Sequence, residues 1–213
     1  GTPFAAIEDI TPVQIVPVGQ PLIPTATEYV LSGTPLSGGV VASNTAPLLQ
    51  NLDSPAAFLE NTLNTTPQLI DNNVNFSDDN VNLNGGNLTV SITAGGSVND
   101  QLFIRNQGSG AGQIDVSGSS VRYGGVVFGT VTANGVNGGD LVVSFNTNAT
   151  PLAIDALIEN LTYATNSDTP SASRTISITV NDGVLTSTAA TAVITVTAEA
   201  DPAASAPSSV ALS

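Results

Sequence analysis

Oxygen ligands are the chemistry this chain is best supplied with. Asp71, Asn73, Asp78, Asp79 and Asn80 crowd into ten residues, and Asn181 is followed directly by Asp182 far downstream. Calcium takes about six to eight oxygens from carboxylates, amides and backbone carbonyls. Asp71, Asn73, Asp78, Asp79, Asn181 and Asp182 are therefore the candidate calcium ligands, on condition that the downstream pair returns to the same end of the molecule. The competing reading is local: Asp and Asn favour turns because their side chains bond the backbone two residues on. No EF-hand loop is present to decide between the two. A second carboxylate pair, Asp155 and Glu159, stands four apart on a predicted helix, the kind of pairing a glycosidase needs. Sugar substrates are held on aromatic platforms, however, and the chain has no Trp and only 4% aromatic residues. A solvated helix face explains the pair more simply. Asn-x-Ser/Thr sequons at Asn64, Asn75, Asn87, Asn148 and Asn160 are expected by chance in a chain so rich in Asn and Thr.

The missing residue types narrow the function further. The 213 residues include no Cys, His, Lys, Met or Trp, and the only cations are Arg105, Arg122 and Arg174, each expected to pair with nearby carboxylates. Without His, no side chain has an unperturbed pKa near neutrality. Without Cys and His, the usual zinc sets cannot be built. Without Lys, neither a Schiff base nor a P-loop contact is available. The formal charge of −14 disfavours nucleic acid and anionic membrane surfaces as partners. No apolar run approaches the length of a bilayer span, so no membrane insertion is expected. The first residue is Gly1 rather than Met, which suits either removal of a leader or trimming. An enzyme is not expected.

Proline and glycine set out the elements that must position these groups. Nine of 13 prolines fall at or before Pro67, so residues 1–66 read as an extended arm. This arm is apolar, with Ile10, Val13, Ile15, Tyr29, Val30 and Leu31 among its residues. Residues 67–198 differ. Runs such as Leu88–Ile92, Gln113–Ser117, Leu141–Phe145, Arg174–Val180 and Ala192–Thr197 alternate apolar with Ser, Thr or Asn, the pattern of half-buried antiparallel strands. Asn181-Asp182-Gly183 is the best hairpin signal. Thr150, Pro151 and the Leu and Ile spacing up to Leu161 predict one short helix. Residues 199–213 are linker-like. The fold class expected is all-β, an antiparallel sandwich preceded by a Pro-rich arm.

From about Pro67 to Ala198 the chain resembles the cadherin-like repeats of large bacterial surface proteins and adhesins. The pieces that carry the likeness are Asn75-Phe-Ser-Asp-Asp79 leading into Gly86–Ile92, Asp100–Gly108, Gly112–Val121, Leu161-Thr-Tyr-Ala164 and Arg174–Gly183. The resemblance implies an immunoglobulin-like or cadherin-like sandwich, extracellular or on the cell surface, often stiffened by calcium, that spaces or adheres. Such repeats come in tandem, whereas this chain holds one repeat and a long apolar arm. That combination suits a subunit that assembles with copies of itself, head to tail, by donating a strand to its neighbour's open edge. Glu28, Tyr29, Val30 and Leu31 are the first candidates for the donated strand, with Ile10, Val13 and Ile15 behind them because Pro12 and Pro17 interrupt the ladder. The alternative is a calcium-binding adhesion or spacer module. A carbohydrate-binding module is disfavoured by the shortage of aromatics.

Overall fold

The alternating runs fold into strands that turn their apolar residues inward. A computed structural model describes residues 43–52 and 56–201, and all of these but Ser43 belong to one compact unit that begins at Asn44. In chain order the elements are β1 (Leu48–Gln50), β2 (Ala56–Leu59), α1 (Glu60–Thr65), β3 (Gln68–Leu69) and β4 (Asn75–Ser77). They continue with β5 (Asn87–Ala94), β6 (Asp100–Ile104), β7 (Ile114–Ser117), β8 (Ser120–Tyr123), β9 (Val126–Asn134) and β10 (Leu141–Phe145). The last are α2 (Pro151–Ile158), β11 (Leu161–Thr165), β12 (Ser173–Asn181) and β13 (Ala190–Thr197).

Eight strands form the main sheet, in the order β2-β13-β12-β5-β10-β9-β8-β7, and β3-β11-β6 form a smaller one. β1 pairs separately with β4. Along β12, Arg174, Ile176, Ile178 and Val180 are buried while Thr175, Ser177 and Thr179 are half-exposed. Leu88 and Val90 of β5, Leu141, Val143 and Phe145 of β10, and Ile194 and Val196 of β13 extend the same inner face. Leu102, Leu161 and Tyr163 of the smaller sheet join this cluster, so the two sheets share one core.

The expected antiparallel pattern holds for most pairs, with one exception. β2 lies parallel to β13, with Ala56 opposite Ile194 and Leu59 opposite Thr197. Residues 44–66, read above as the end of an arm, thus contain two strands and a helix of the compact unit. Their X-Pro steps signal extended backbone but not which sheet that backbone will join. The candidate donor residues Ile10, Val13, Ile15, Glu28, Tyr29, Val30 and Leu31 lie outside the described residues.

The expectation of one helix also gives way to two among the described residues. The predicted one is α2, where the Thr150 hydroxyl accepts the Ala153 amide hydrogen at 3.3 Å and Pro151 stands at the first turn. It stops earlier than Leu161, because the Asn160 side chain donates to the Ala156 carbonyl at 2.7 Å and the chain then turns into β11. α1 escapes sequence reasoning because Leu59 at its N-cap makes no capping bond and Asn and Thr are weak helix formers. Packing on β11 and the burial of Leu63 hold it instead.

Between the sheets sits a charged network that no alternating pattern announces. Asp100 of β6 accepts from the Tyr163 hydroxyl at 2.5 Å and from Arg174 Nε at 3.0 Å through a single oxygen, Oδ1. Its other oxygen takes the Ser97 amide at 2.6 Å. Arg174 also donates to the Ser171 carbonyl, and its guanidinium lies 5.7 Å from the Tyr163 ring centre. Burial, then the hydrogen bond and charge of Asp100, hold the Tyr163 phenol well above its ordinary pKa, against a smaller opposing effect of Arg174. Arg174 does pair with a carboxylate, but one 74 residues away in sequence. Arg122 pairs with Asp115 across the β7–β8 hairpin, and Arg105 donates to the Asn160 amide oxygen rather than to an acid.

Removing one partner from this network strands the other in the core. Asp100→Ala is expected to lower stability by about 3–5 kcal/mol in urea denaturation. Tyr163→Phe, which deletes one bond to a charged acceptor, should cost about 1.5–3 kcal/mol. A smaller loss for Asp100→Ala than for Tyr163→Phe would contradict the central role of the carboxylate.

Candidate functional site

The hairpin between β12 and β13 and the loop after β4 bring three of the anticipated acids together. At the hairpin, Asp182 Oδ1 accepts the amides of Val184 and Leu185, both at 2.7 Å, which folds the backbone around the carboxylate. Gly183 takes φ +100° there, a conformation other residues rarely adopt. Asp182 Oδ2 accepts the Asn44 side-chain amide at 2.9 Å and, more loosely, that of Asn80 at 3.4 Å. Asn80 also donates to the Asn44 amide oxygen at 2.7 Å. Asp79 accepts the Thr45 amide through both oxygens, at 3.2 and 3.3 Å. Asp78 Oδ1 takes the Asn80 amide at 2.8 Å, while its Oδ2 is buried without a hydrogen-bond partner.

The electrostatics of this pole follow from those bonds. Burial acts to raise the Asp182 carboxyl, but the Leu185 and Val184 amides and the Asn44 side chain outweigh it and hold the group below its ordinary pKa. Asp78 moves the other way. Burial raises its pKa first, and the nearby charges of Asp182 and Asp79 add to that, against the lowering effect of the Asn80 hydrogen bonds. Asp78, Asp79 and Asp182 thus form one cluster, knitted mainly by N–H donors.

The other three anticipated ligands are employed elsewhere or differently. Asn181 serves its own turn, accepting from the Gly183 amide at 2.7 Å and donating to Thr186 Oγ1 at 2.8 Å. Asp71 Oδ1 caps the loop before β4 by accepting the amides of Asn73 and Val74 at 2.7 and 2.9 Å. Asp71 belongs with the acids of α2. Glu159 is raised by burial and then by the charges of Asp155 and Asp71. Asp155 Oδ1 in turn accepts the Phe76 amide at 2.7 Å, which fastens α2 to β4. The helix pair weighed above as catalytic carboxylates therefore does structural work in at least one of its members.

A further group of acids was not anticipated. Glu60 of α1, Asp168 in the loop between β11 and β12, and Asp201 just past β13 each place a carboxylate oxygen within 4.8 Å of the other two. Glu60 is fully buried; its Oε2 accepts the Glu199 amide at 2.9 Å, and its Oε1 has no hydrogen-bond partner. Three single acids spaced over 140 residues offer no local motif.

Among the described residues, no helix is long and apolar enough to cross a membrane. No known protein family, curated protein or solved structure matches the chain.

The opposite shifts at the Asp182 pole have opposite consequences for stability. A raised folded pKa means that the Asp78 charge costs stability once pH climbs from 3.8 through the raised value, and costs nothing below it. A lowered one means that Asp182 contributes stability above 3.8, which is lost as pH falls through the depressed value. Asp78→Asn keeps Oδ1 and removes the charge. It is expected to raise the denaturation midpoint near neutral pH, with the gain vanishing in acid, whereas Asp182→Asn should lower the midpoint near neutrality. Urea titrations across pH, with both variants beside the wild type, check the two signs.

Proposed function

We propose that the chain is a non-catalytic spacer or adhesion module of an extracellular surface protein, built to carry tension along its length. The observation that carries this reading is where the described part of the compact unit begins and ends. Asn44 is bonded to Asp182, at the hairpin end of β12 and β13. Glu199, Ala200 and Asp201 lie at the other end, beside Glu60 and Asn61. Between the two runs the nine-residue β12, about 30 Å at the usual rise per residue. A domain joined at opposite ends adds its full length to a series and passes force from one neighbour to the next.

The parallel pair β2–β13 gives that force somewhere to act. Pulling the chain before β2 and after β13 slides the two strands past each other, so their hydrogen bonds are loaded together rather than one at a time. The Thr195 hydroxyl adds a bond to the Ala56 carbonyl at 3.3 Å. The acidic, Lys-free and Cys-free composition and the resemblance to cadherin-like repeats support an extracellular or cell-surface setting.

Self-assembly by strand donation is the rival reading. The edge beside β13, one place where a neighbour's strand would add, is filled by β2 of the same chain. Donation would have to use another edge, such as β7 or the outer side of β2.

Single-molecule stretching between Asn44 and Asp201 tests the proposal. One cooperative, high-force rupture is expected, and Ala57→Pro, which disturbs β2, should remove most of that resistance. Extension at low force in the wild type would refute a tension-bearing role. Negative-stain images of the full chain beside one lacking residues 1–43 test the rival. Filaments that disappear with the truncation would favour strand donation, and single particles in both samples would favour the spacer. The truncation must stop at Ser43, since removing β2 and α1 would strip the compact unit itself.

A further inference from the structure

We propose that Glu60, Asp168 and Asp201 form a binding site for one calcium-sized, hard divalent cation, which clamps the segment after β13 onto α1. The three acids come from three separate parts of the chain, and one carboxylate oxygen from each lies within 4.8 Å of the others. Three carboxylate oxygens brought this close can share one hard divalent cation, which takes oxygen ligands. Magnesium demands near-octahedral geometry and is usually held through one or two carboxylates with several retained waters, so three protein carboxylates suit calcium better. Zinc and other borderline metals favour imidazole and thiolate, and the chain contains neither His nor Cys.

Among the described residues, no ion pair reaches Glu60, Asp168 or Asp201. There is no Lys or His anywhere in the sequence. Arg105, Arg122 and Arg174 bond to Asn160, Asp115 and Asp100 respectively. The buried Glu60 Oε1 makes the case more specific than a surface patch of acids would. A carboxylate oxygen removed from water and given no donor is costly, and a cation held with Asp168 and Asp201 supplies what it lacks.

The scaffold is already arranged around that position. The Glu199 amide donates to Glu60 Oε2 at 2.9 Å, and the Asn61 side chain donates to the Ala200 carbonyl at 3.2 Å. Two consecutive residues of α1 therefore hold the two residues that precede Asp201. Three protein carboxylates, with water completing the shell, make a site of the modest affinity common in extracellular modules, a Kd on the order of 10⁻⁴–10⁻³ M or tighter. The cation would stiffen the segment that follows β13, residues 198–201. The proposal rests on the geometry of these residues and does not depend on the spacer reading.

Calorimetric titration of calcium chloride into the chelator-treated full chain is the deciding experiment, with magnesium chloride in parallel. Asp168 and Asp201 are exposed, so Asp168→Asn and Asp201→Asn should fold normally, as circular dichroism would verify. Asp79→Asn, at the opposite pole, is the control. Calcium is expected to bind the wild type and Asp79→Asn alike, and to bind Asp168→Asn and Asp201→Asn about tenfold more weakly or worse. It should also raise the melting temperature of the wild type but not of Asp168→Asn, and slow amide exchange at residues 198–201. No binding heat in the wild type, unchanged affinity in Asp168→Asn, or loss of binding in Asp79→Asn would each overturn the site. Equal affinity for magnesium would overturn the assignment to calcium.

Discussion

The architecture turns on one buried carboxylate. Asp100 sits between the two sheets, and through Oδ1 alone it joins β6 to Tyr163 on β11 and to Arg174 on β12. Arg174 occupies an inward position that Ile176, Ile178 and Val180 continue along the same strand, so the guanidinium takes the place of a core side chain. A pair like this is not the cheapest way to fill a core, since hydrophobic residues of similar volume often match or exceed it in stability. What it adds is direction. The Arg174 charge is paired where Asp100 meets it, which ties the smaller sheet to the larger one at that point. The Ser97 amide on Oδ2 carries the same constraint into the loop before β6.

Once the sheets are registered, the two poles follow. At one, the β12–β13 hairpin presents Asp182 to Asn44 and Asn80, and amide donors from across the chain close the cluster. At the other, β13 delivers residues 199–201 to α1, whose own place depends on packing against β11. Both poles concentrate acids, but they differ in their donors. The first is knitted by several backbone and Asn N–H groups and leaves Asp78 Oδ2 buried without one, whereas at the second Glu60 receives the Glu199 amide on Oε2 and nothing on Oε1. The fuller set of donors marks the first as a turn-capping cluster, and the mutually close carboxylate oxygens mark the second as suited to a cation.

The main strands were legible because alternation maps directly onto a two-sided sheet. The run Leu141–Phe145 is a strand at those same bounds, and Arg174–Val180 and Ala192–Thr197 lie within slightly longer strands. The cap at Thr150 and Pro151 made α2 legible for a similarly local reason. β11 is different, since every residue from Leu161 to Thr165 is buried and no alternation marks it. α1 lacks a capping signal, and β2 lies in a stretch whose prolines suggested an arm. Each of the three is held by neighbours distant in sequence, so no window of local residues could contain the reason for it.

The sequence by itself determined the chemical repertoire and the strand pattern. A chain without Cys, His and Lys has oxygens and little else to offer a ligand, and alternating apolar residues must hide one face. Tertiary structure alone decided which oxygens meet. Asp78, Asp79 and Asp182 converge because a hairpin returns to the loop after β4, while Asp71 is drawn to α2 instead. Glu60, Asp168 and Asp201 converge because a parallel strand leads the chain along β13 to its far end. Proximity between residues a hundred or more positions apart depends on sheet order and register, and those are properties of the packed whole.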